Sequence, residues 1–182
     1  MDIRGSIVRN GTEAVLEYRR ISGIDSDERV PEVFLGARIA LGVHRDTGLS
    51  AHVERHYTTI ATELGKQHDA DLVKSLGLYR ADVALYAGRT PTGVVEIKRY
   101  AEGGRDSMVR RDLDKLRSLA RDTPLKVFMA VLVTDTVRHR AENRITRLER
   151  LLDGRFDVLG PSQVANEGAA DWSWMFVCGS FA

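Results

Sequence analysis

The chain has 182 residues, 43% hydrophobic and 29% charged, an ordinary globular composition that excludes a disordered or low-complexity protein. That length suits one domain with a full core, residues 1–182 as a single unit, and is short for two. A formal net charge of +1 is far from the strongly basic balance of a dedicated nucleic-acid binder, and no apolar run approaches the roughly 18–20 residues that span a bilayer.

The charge is unevenly spread. Residues 1–98 carry 13 basic and 14 acidic side chains, residues 99–150 carry 13 and 8, and residues 151–182 carry 1 and 4. The middle block is thus net positive and could face a phosphate backbone, although a solvated helix surface has the same composition. The single cysteine, Cys178, excludes an intrachain disulfide and a cysteine-based metal cluster; its apolar surroundings predict a buried, inert thiol. The first residues lack the basic-then-apolar order of a secretion signal. The expectation is a cytoplasmic protein with no membrane association.

In chain order, residues 12–21 predict a short helix capped by Thr12. Pro31 suits the first turn of a second helix, with Phe34, Ala37 and Leu41 on its apolar face beside Ile39 and Ala40, ending near Gly48. Residues 49–57 alternate as a strand that gives way to loop or helix, and residues 66–78 read as a surface excursion. Residues 80–86 and 94–98 read as two strands joined by a glycine- and proline-containing turn over 87–93. Asp106 or Ser107 can cap a helix to about residue 121. The apolar run 125–133 predicts a central strand covered on both faces. A last helix carries Val137, Ala141, Ile145, Leu148 and Leu152 and closes at Gly154, before strands at 156–159 and 172–178.

The hairpin carries the chemistry. Glu96 and Lys98 are two apart and leave the same face of their strand, and the partner strand can set Asp82 beside them. Three charged groups against an apolar sheet need a reason. A divalent cation supplies one: two carboxylates and the Ile97 backbone carbonyl are hard oxygen donors suited to Mg²⁺, with Mn²⁺ able to substitute. A metal there lowers the pKa of bound water, and Lys98 could orient or deprotonate that water and stabilise the transition state. The alternative is an ion-pair cluster on an edge hairpin, worth only about 0–1 kcal/mol per pair.

Asp82, thirteen intervening residues, then Glu96-Ile97-Lys98 resembles the PD-(D/E)XK nuclease superfamily, the restriction-endonuclease-like fold. The resemblance covers about residues 31–133, that superfamily's core being a helix, a three-strand meander, a helix and a further strand. It implies an α/β fold with a central mixed β-sheet flanked by helices, and a Mg²⁺-dependent nuclease cutting phosphodiester bonds, in DNA ahead of RNA. It gives the metal and water roles to Asp82, Glu96 and Lys98, and a further glutamate from the first core helix. Glu32 is the candidate; Glu54 replaces it if residues 50–64 are that helix. Ala81 stands where the motif's name has proline, which is not a ligand. The helix after the third strand often adds a polar residue, here Arg111, Asp112 or Lys115.

Arg105, Arg110 and Arg111 are the candidate phosphate contacts. His52 and His56 share a face without a third ligand at useful spacing, so a solvated or hydrogen-bonded role is expected. The arginines at 138, 140, 144, 147 and 150 form a basic stripe on the last helix that could track phosphates, although a solvated helix face is the default. Trp172 and Trp174 read as core packing or an oligomer contact. A homodimer would serve double-strand cutting. The competing function is a non-cleaving nucleic-acid-binding or assembly module of a larger defence or repair complex that retains the fold.

Overall fold

Residues 2–23, 30–101, 106–135, 138–151, 156–157, 163–164 and 173–181 are described by a computed structural model of the chain. Helix α1 runs over Ile3–Ser22 rather than from Thr12. The Asp2 carboxylate caps it by accepting the Gly5 N–H at 2.8 Å, and Gly23 closes it at φ 63. Glycines at 5 and 11 argue against helix on propensity alone. Both serve packing instead: a Cβ on Gly5 would lie 2.0 Å from the capping carboxylate, and Gly11 is buried.

Helix α2, Glu32–Thr47, starts directly after Pro31, which stands at the cap, one residue outside the first turn. Its buried face is Leu35, Ile39, Ala40 and Val43; of the expected face Ile39 and Ala40 are buried, whereas Phe34 and Ala37 are not and Leu41 is 57% exposed. Two apolar stripes at helical spacing run along this helix, and tertiary contact chooses between them. Leu35, Ile39 and Val43 meet the sheet, while Phe34 packs edge-on against Tyr18 of α1.

Strand β1 (Ser50–His56) passes at once into helix α3 (Tyr57–Glu63), so the ambiguous segment is strand and then helix. Helix α4 (Ala70–Leu76) occupies the expected surface excursion yet buries Leu72 and Leu76. Strands β2 (Arg80–Ala87) and β3 (Thr90–Tyr100) form the hairpin. Its loop is two residues, Gly88 and Arg89, not all of 87–93, because Ala87 already pairs with Thr90. Gly88 has φ 64, which a two-residue loop with glycine first requires. Pro91 joins the strand opposite Tyr86, where the register shifts and a missing N–H costs least. Then follow α5 (Asp106–Asp122), β4 (Lys126–Asp135), α6 (Arg138–Leu151), β5 (Phe156–Asp157), β6 (Gln163–Val164) and β7 (Ser173–Phe181). The expected turn at Gly154, Leu159 and Trp172 lie outside the described residues.

The architecture is α/β. The sheet order is β1-β2-β3-β4-β7-β5, with β6 also paired to β7. Strands β3 and β4 run parallel through the α5 crossover, and the other described pairs are antiparallel. Helices cover both faces. Ile7, Val15, Leu35 and Ile39 of α1 and α2 pack on Val83, Leu85, Val95 and Ile97. On the other face, residues of α3 to α6 pack on Ala84, Val94, Met129 and Val131. Strand β4 is buried from its second residue to its last, as two-sided cover demands. Among the described residues no helix is long and apolar enough to cross a membrane.

Helices α1 and α2 interlock through buried Asn10, whose Nδ2 donates to the Ser6 carbonyl at 2.8 Å and to Asp46 Oδ2 at 3.1 Å. Gly42 leaves the room for it: a Cβ there would lie 1.9 Å from Asn10 Cγ. Gly42→Ala should therefore lower stability by about 1–3 kcal/mol through overpacking, although alanine is the better helix former by roughly 1 kcal/mol. Urea unfolding reads this directly; a midpoint that stays or rises would refute the interlock.

Candidate active site

The site forms where β2 and β3 part. Their ladder pairing stops at Val83–Val95, and continuing that register sets Asp82 opposite Glu96 and Ala81 opposite Ile97. The Ile97 N–H is instead taken by the Asp82 side chain, Oδ2 accepting at 2.5 Å. Backbone N–H and C=O of one strand residue point to the same side, so the Ile97 carbonyl turns toward Asp82 as well. Above this backbone lies Gly36 of α2, where a Cβ would make an ordinary contact, 3.7 Å from the Asp82 carbonyl oxygen.

Asp82, Glu96 and Lys98 project toward the face covered by α3 and α5. Glu96 is 2% exposed. Its Oε1 accepts from the Tyr57 hydroxyl and from Lys115 Nζ at 2.8 Å. Lys115 also lies 3.6 Å from Asp112 Oδ1, and its ammonium sits 5.0 Å from the Tyr57 ring centroid and 5.4 Å from that of Tyr79, within cation–π range. Lys98 Nζ is 3.4 Å from Asp112 Oδ2 and 3.9 Å from Glu32 Oε2. Glu32 in turn accepts the Arg99 N–H at 3.1 Å. Helix periodicity explains the α5 pair: Asp112 and Lys115 are three apart and share one face.

The electrostatics follow from this crowding. Burial, then the nearby Glu96 charge, push the Asp82 carboxyl up to about 7, against the lowering pull of the Ile97 N–H and Lys98. Burial works against the Lys98 ammonium, but Glu32, Asp112, Asp82 and Glu96 outweigh it and raise its pKa. Lys98 is therefore held charged, which suits orienting and stabilising roles better than deprotonating a water. Tyr57 is raised well above the ordinary phenol range by burial and by Glu96, so it is a fixed donor.

Counted formally, Glu32, Asp82, Glu96 and Asp112 against Lys98 and Lys115 leave two negative charges, reduced to one if Arg99 at the rim is included. Among the described residues no three His, Cys, Asp or Glu side chains converge into a metal cage. Magnesium does not demand one, since it is commonly held by one or two carboxylates with water and substrate phosphate completing the shell. Asp82, the Ile97 carbonyl and Glu96 are hard oxygen donors of the kind such an ion takes, and a carboxyl kept reluctant to ionise by burial and a neighbouring carboxylate would gain from a cation beside it. The residues fit a divalent ion.

The structure brings Glu32 into the cluster and leaves Glu54 out. Residues 50–56 are strand, not the first core helix, and Glu54, at φ 55, turns its half-exposed side chain to Arg80 at 4.0 Å. Of the three α5 candidates, Asp112 and Lys115 face the site and Arg111 is exposed. Arg110 is likewise exposed and lies away from the carboxylates, and Arg105 is outside the described residues. His52 stacks edge-on to Tyr86, and His56 accepts from Arg80, so they form no metal pair. Tyr57 is not legible in the sequence as a site residue; it lies 39 positions from Glu96, and the signal for it is only that a buried acid needs a donor.

Comparisons with protein-family models, with curated proteins and with solved structures return no match.

The raised Asp82 carboxyl has a defined effect on stability. Between about pH 4 and 7 the folded chain holds a proton at Asp82 that the unfolded chain has released, so this group's contribution to stability falls as pH rises through that window and levels off above it. Asp82→Asn should remove this loss, raising stability at pH 8 relative to wild type by on the order of 3 kcal/mol and leaving pH 4 nearly unchanged. Metal-free denaturant unfolding at pH 4, 6 and 8 measures it; equal slopes with pH in both proteins would contradict the assignment.

Proposed function

We propose that this chain is a metal-dependent nuclease of the PD-(D/E)XK type, hydrolysing phosphodiester bonds in DNA. The observation that carries the reading is the meeting of Asp82, Glu96, Lys98 and the Ile97 backbone at one splayed point of the hairpin. The element order supports it: α2, the antiparallel meander β1-β2-β3, α5, and β4 parallel to β3. This order is compatible with the helix, meander, helix and strand expected of a restriction-endonuclease-like core, with α3 and α4 lying between the first two strands of the meander.

A Mg²⁺ ion held by Asp82, Glu96 and the Ile97 carbonyl would supply Lewis acidity and an activated water. The chain's own groups divide the remaining work. Lys98, held as the ammonium, places positive charge where the non-bridging phosphate oxygens gather negative charge in the transition state. Glu32 and Asp112 fix the Lys98 ammonium between them. Tyr57 and Lys115 hold Glu96 Oε1, which leaves its other oxygen for the metal. A homodimer or larger complex would bring a second such site to the opposite strand.

One observation favours a second reading. Lys115 already neutralises part of the Glu96 charge, an arrangement compatible with a chain that binds nucleic acid without cleaving it, within a larger defence or repair complex. Turnover separates the two.

Single- and double-stranded DNA and RNA incubated with the protein and Mg²⁺, Mn²⁺ or EDTA should show metal-dependent cleavage of DNA. Lys98→Ala and Asp82→Asn should each reduce the rate by ~10²-fold or more while the far-ultraviolet circular dichroism is unchanged. A folded wild-type protein that cleaves none of these substrates would favour the binding module.

A further inference from the structure

We infer that the groove between α5 and α6 is a binding site for the phosphate backbone of the nucleic acid, separate from the carboxylate cluster. It encloses about 490 Å³ and is lined by Arg110, Asp114 and Arg117 of α5 and by Arg147, Arg150 and Leu151 of α6, over Leu113 at its floor. Four guanidinium groups meet one carboxylate there among the described lining residues. In sequence these arginines lie on two helices some thirty to forty residues apart, and only the packing of both helices on one sheet face brings them together.

One of the four arginines is anchored by the fold. Arg117 clamps the two helices, its Nη2 donating to the Leu151 carbonyl at 3.1 Å, and its Nη1 lies 3.5 Å from Asp114. Arg110, Arg147 and Arg150 are exposed around it. The gathered cations repel one another, and a ligand bearing several anionic oxygens relieves that repulsion; guanidinium groups pair with phosphate in a two-pronged fashion that ammonium groups do not. Neighbouring Arg144 is not part of this surface, since it turns inward to Asp135 at 2.8 Å and to the Ala101 carbonyl at 2.6 Å.

The placement fits a backbone running on from the cleavage site. At 100° per residue Arg110 and Arg117 lie on the flank of α5 opposite Asp112 and Lys115. One helix diameter, roughly 10–12 Å, separates groove from site, a span covered by about three nucleotides at ~3.4 Å each. The inference rests on the nucleic-acid reading above, but its test does not require turnover.

Binding of a fluorescent 20-nucleotide DNA is measured by anisotropy in EDTA across a salt series. The Arg147→Gln/Arg150→Gln protein should bind ~10-fold more weakly. Its log K against log[salt] should be shallower by about 1.4 on single strands or 1.8 on duplex, because two phosphates are no longer neutralised. Arg110→Gln alone should remove about half of that slope. The control is Arg89→Gln/Lys126→Gln, two charges removed from exposed positions outside the groove lining, with affinity and slope close to wild type. Unchanged binding in the α6 pair would overturn the proposal. So would an equal loss in the control pair, or competition by poly-glutamate as effective as unlabelled DNA at matched charge. A protein that binds through this groove but never cleaves would keep the groove and remove the nuclease.

Discussion

The Asp82 carboxylate accepts the Ile97 N–H that the strand ladder would otherwise give to the main chain of β2. Everything distinctive about the site follows from that exchange. It ends the β2–β3 pairing at Val83–Val95, turns the Ile97 backbone toward a side chain, and places a carboxylate directly opposite Glu96. Two acids at a non-polar sheet surface are costly unless their charge is answered. Here the answer comes in part from lysines on two elements: Lys98 from β3 itself and Lys115 from the α5 crossover.

The answer is incomplete, and that is what gives the cluster a chemical direction. A fully compensated network would leave every carboxylate easy to ionise. Asp82 is not: burial and Glu96 hold its pKa at about 7, while Lys98 is stabilised in its charged form. The arrangement therefore pairs a lysine held in its charged form with a carboxyl that ionises only as pH rises through about 7, or earlier if further positive charge arrives. Fold and electrostatics are coupled through α5. Because β3 and β4 are parallel, a crossover helix must lie over the sheet, and its buried face carries Asp112 and Lys115 to the site while its exposed flank carries arginines to the α6 groove.

Much of this is legible in the sequence, for identifiable reasons. The two-residue spacing of Glu96 and Lys98, the glycine-bearing turn and the continuous apolar run within 126–135 are local signals, and they suffice for the hairpin and the central strand. Gly48 marks the end of α2 as glycine at a left-handed cap should. The features that sequence does not reveal are decided between distant residues. The start of α1 depends on Asp2 capping a turn that contains Gly5, and the buried face of α2 depends on which stripe meets the sheet. Glu32 enters the site because α2 begins beside the end of β3; Glu54 does not, because its strand turns it toward Arg80. The roles of Tyr57 and Lys115, and the convergence of Arg110 with Arg147 and Arg150, arise from packing that no single segment encodes.

If Asp82 and Glu96 share a divalent cation, calorimetric titration of the metal-free protein with Mn²⁺ at pH 8 detects it without any substrate. One ion per chain should bind to the wild type, with binding abolished in Asp82→Asn and in Glu96→Gln and retained in Arg147→Gln/Arg150→Gln. No binding to the folded wild type, or binding that survives both carboxylate substitutions, would show that the cluster is an internal ion-pair network and not a metal site.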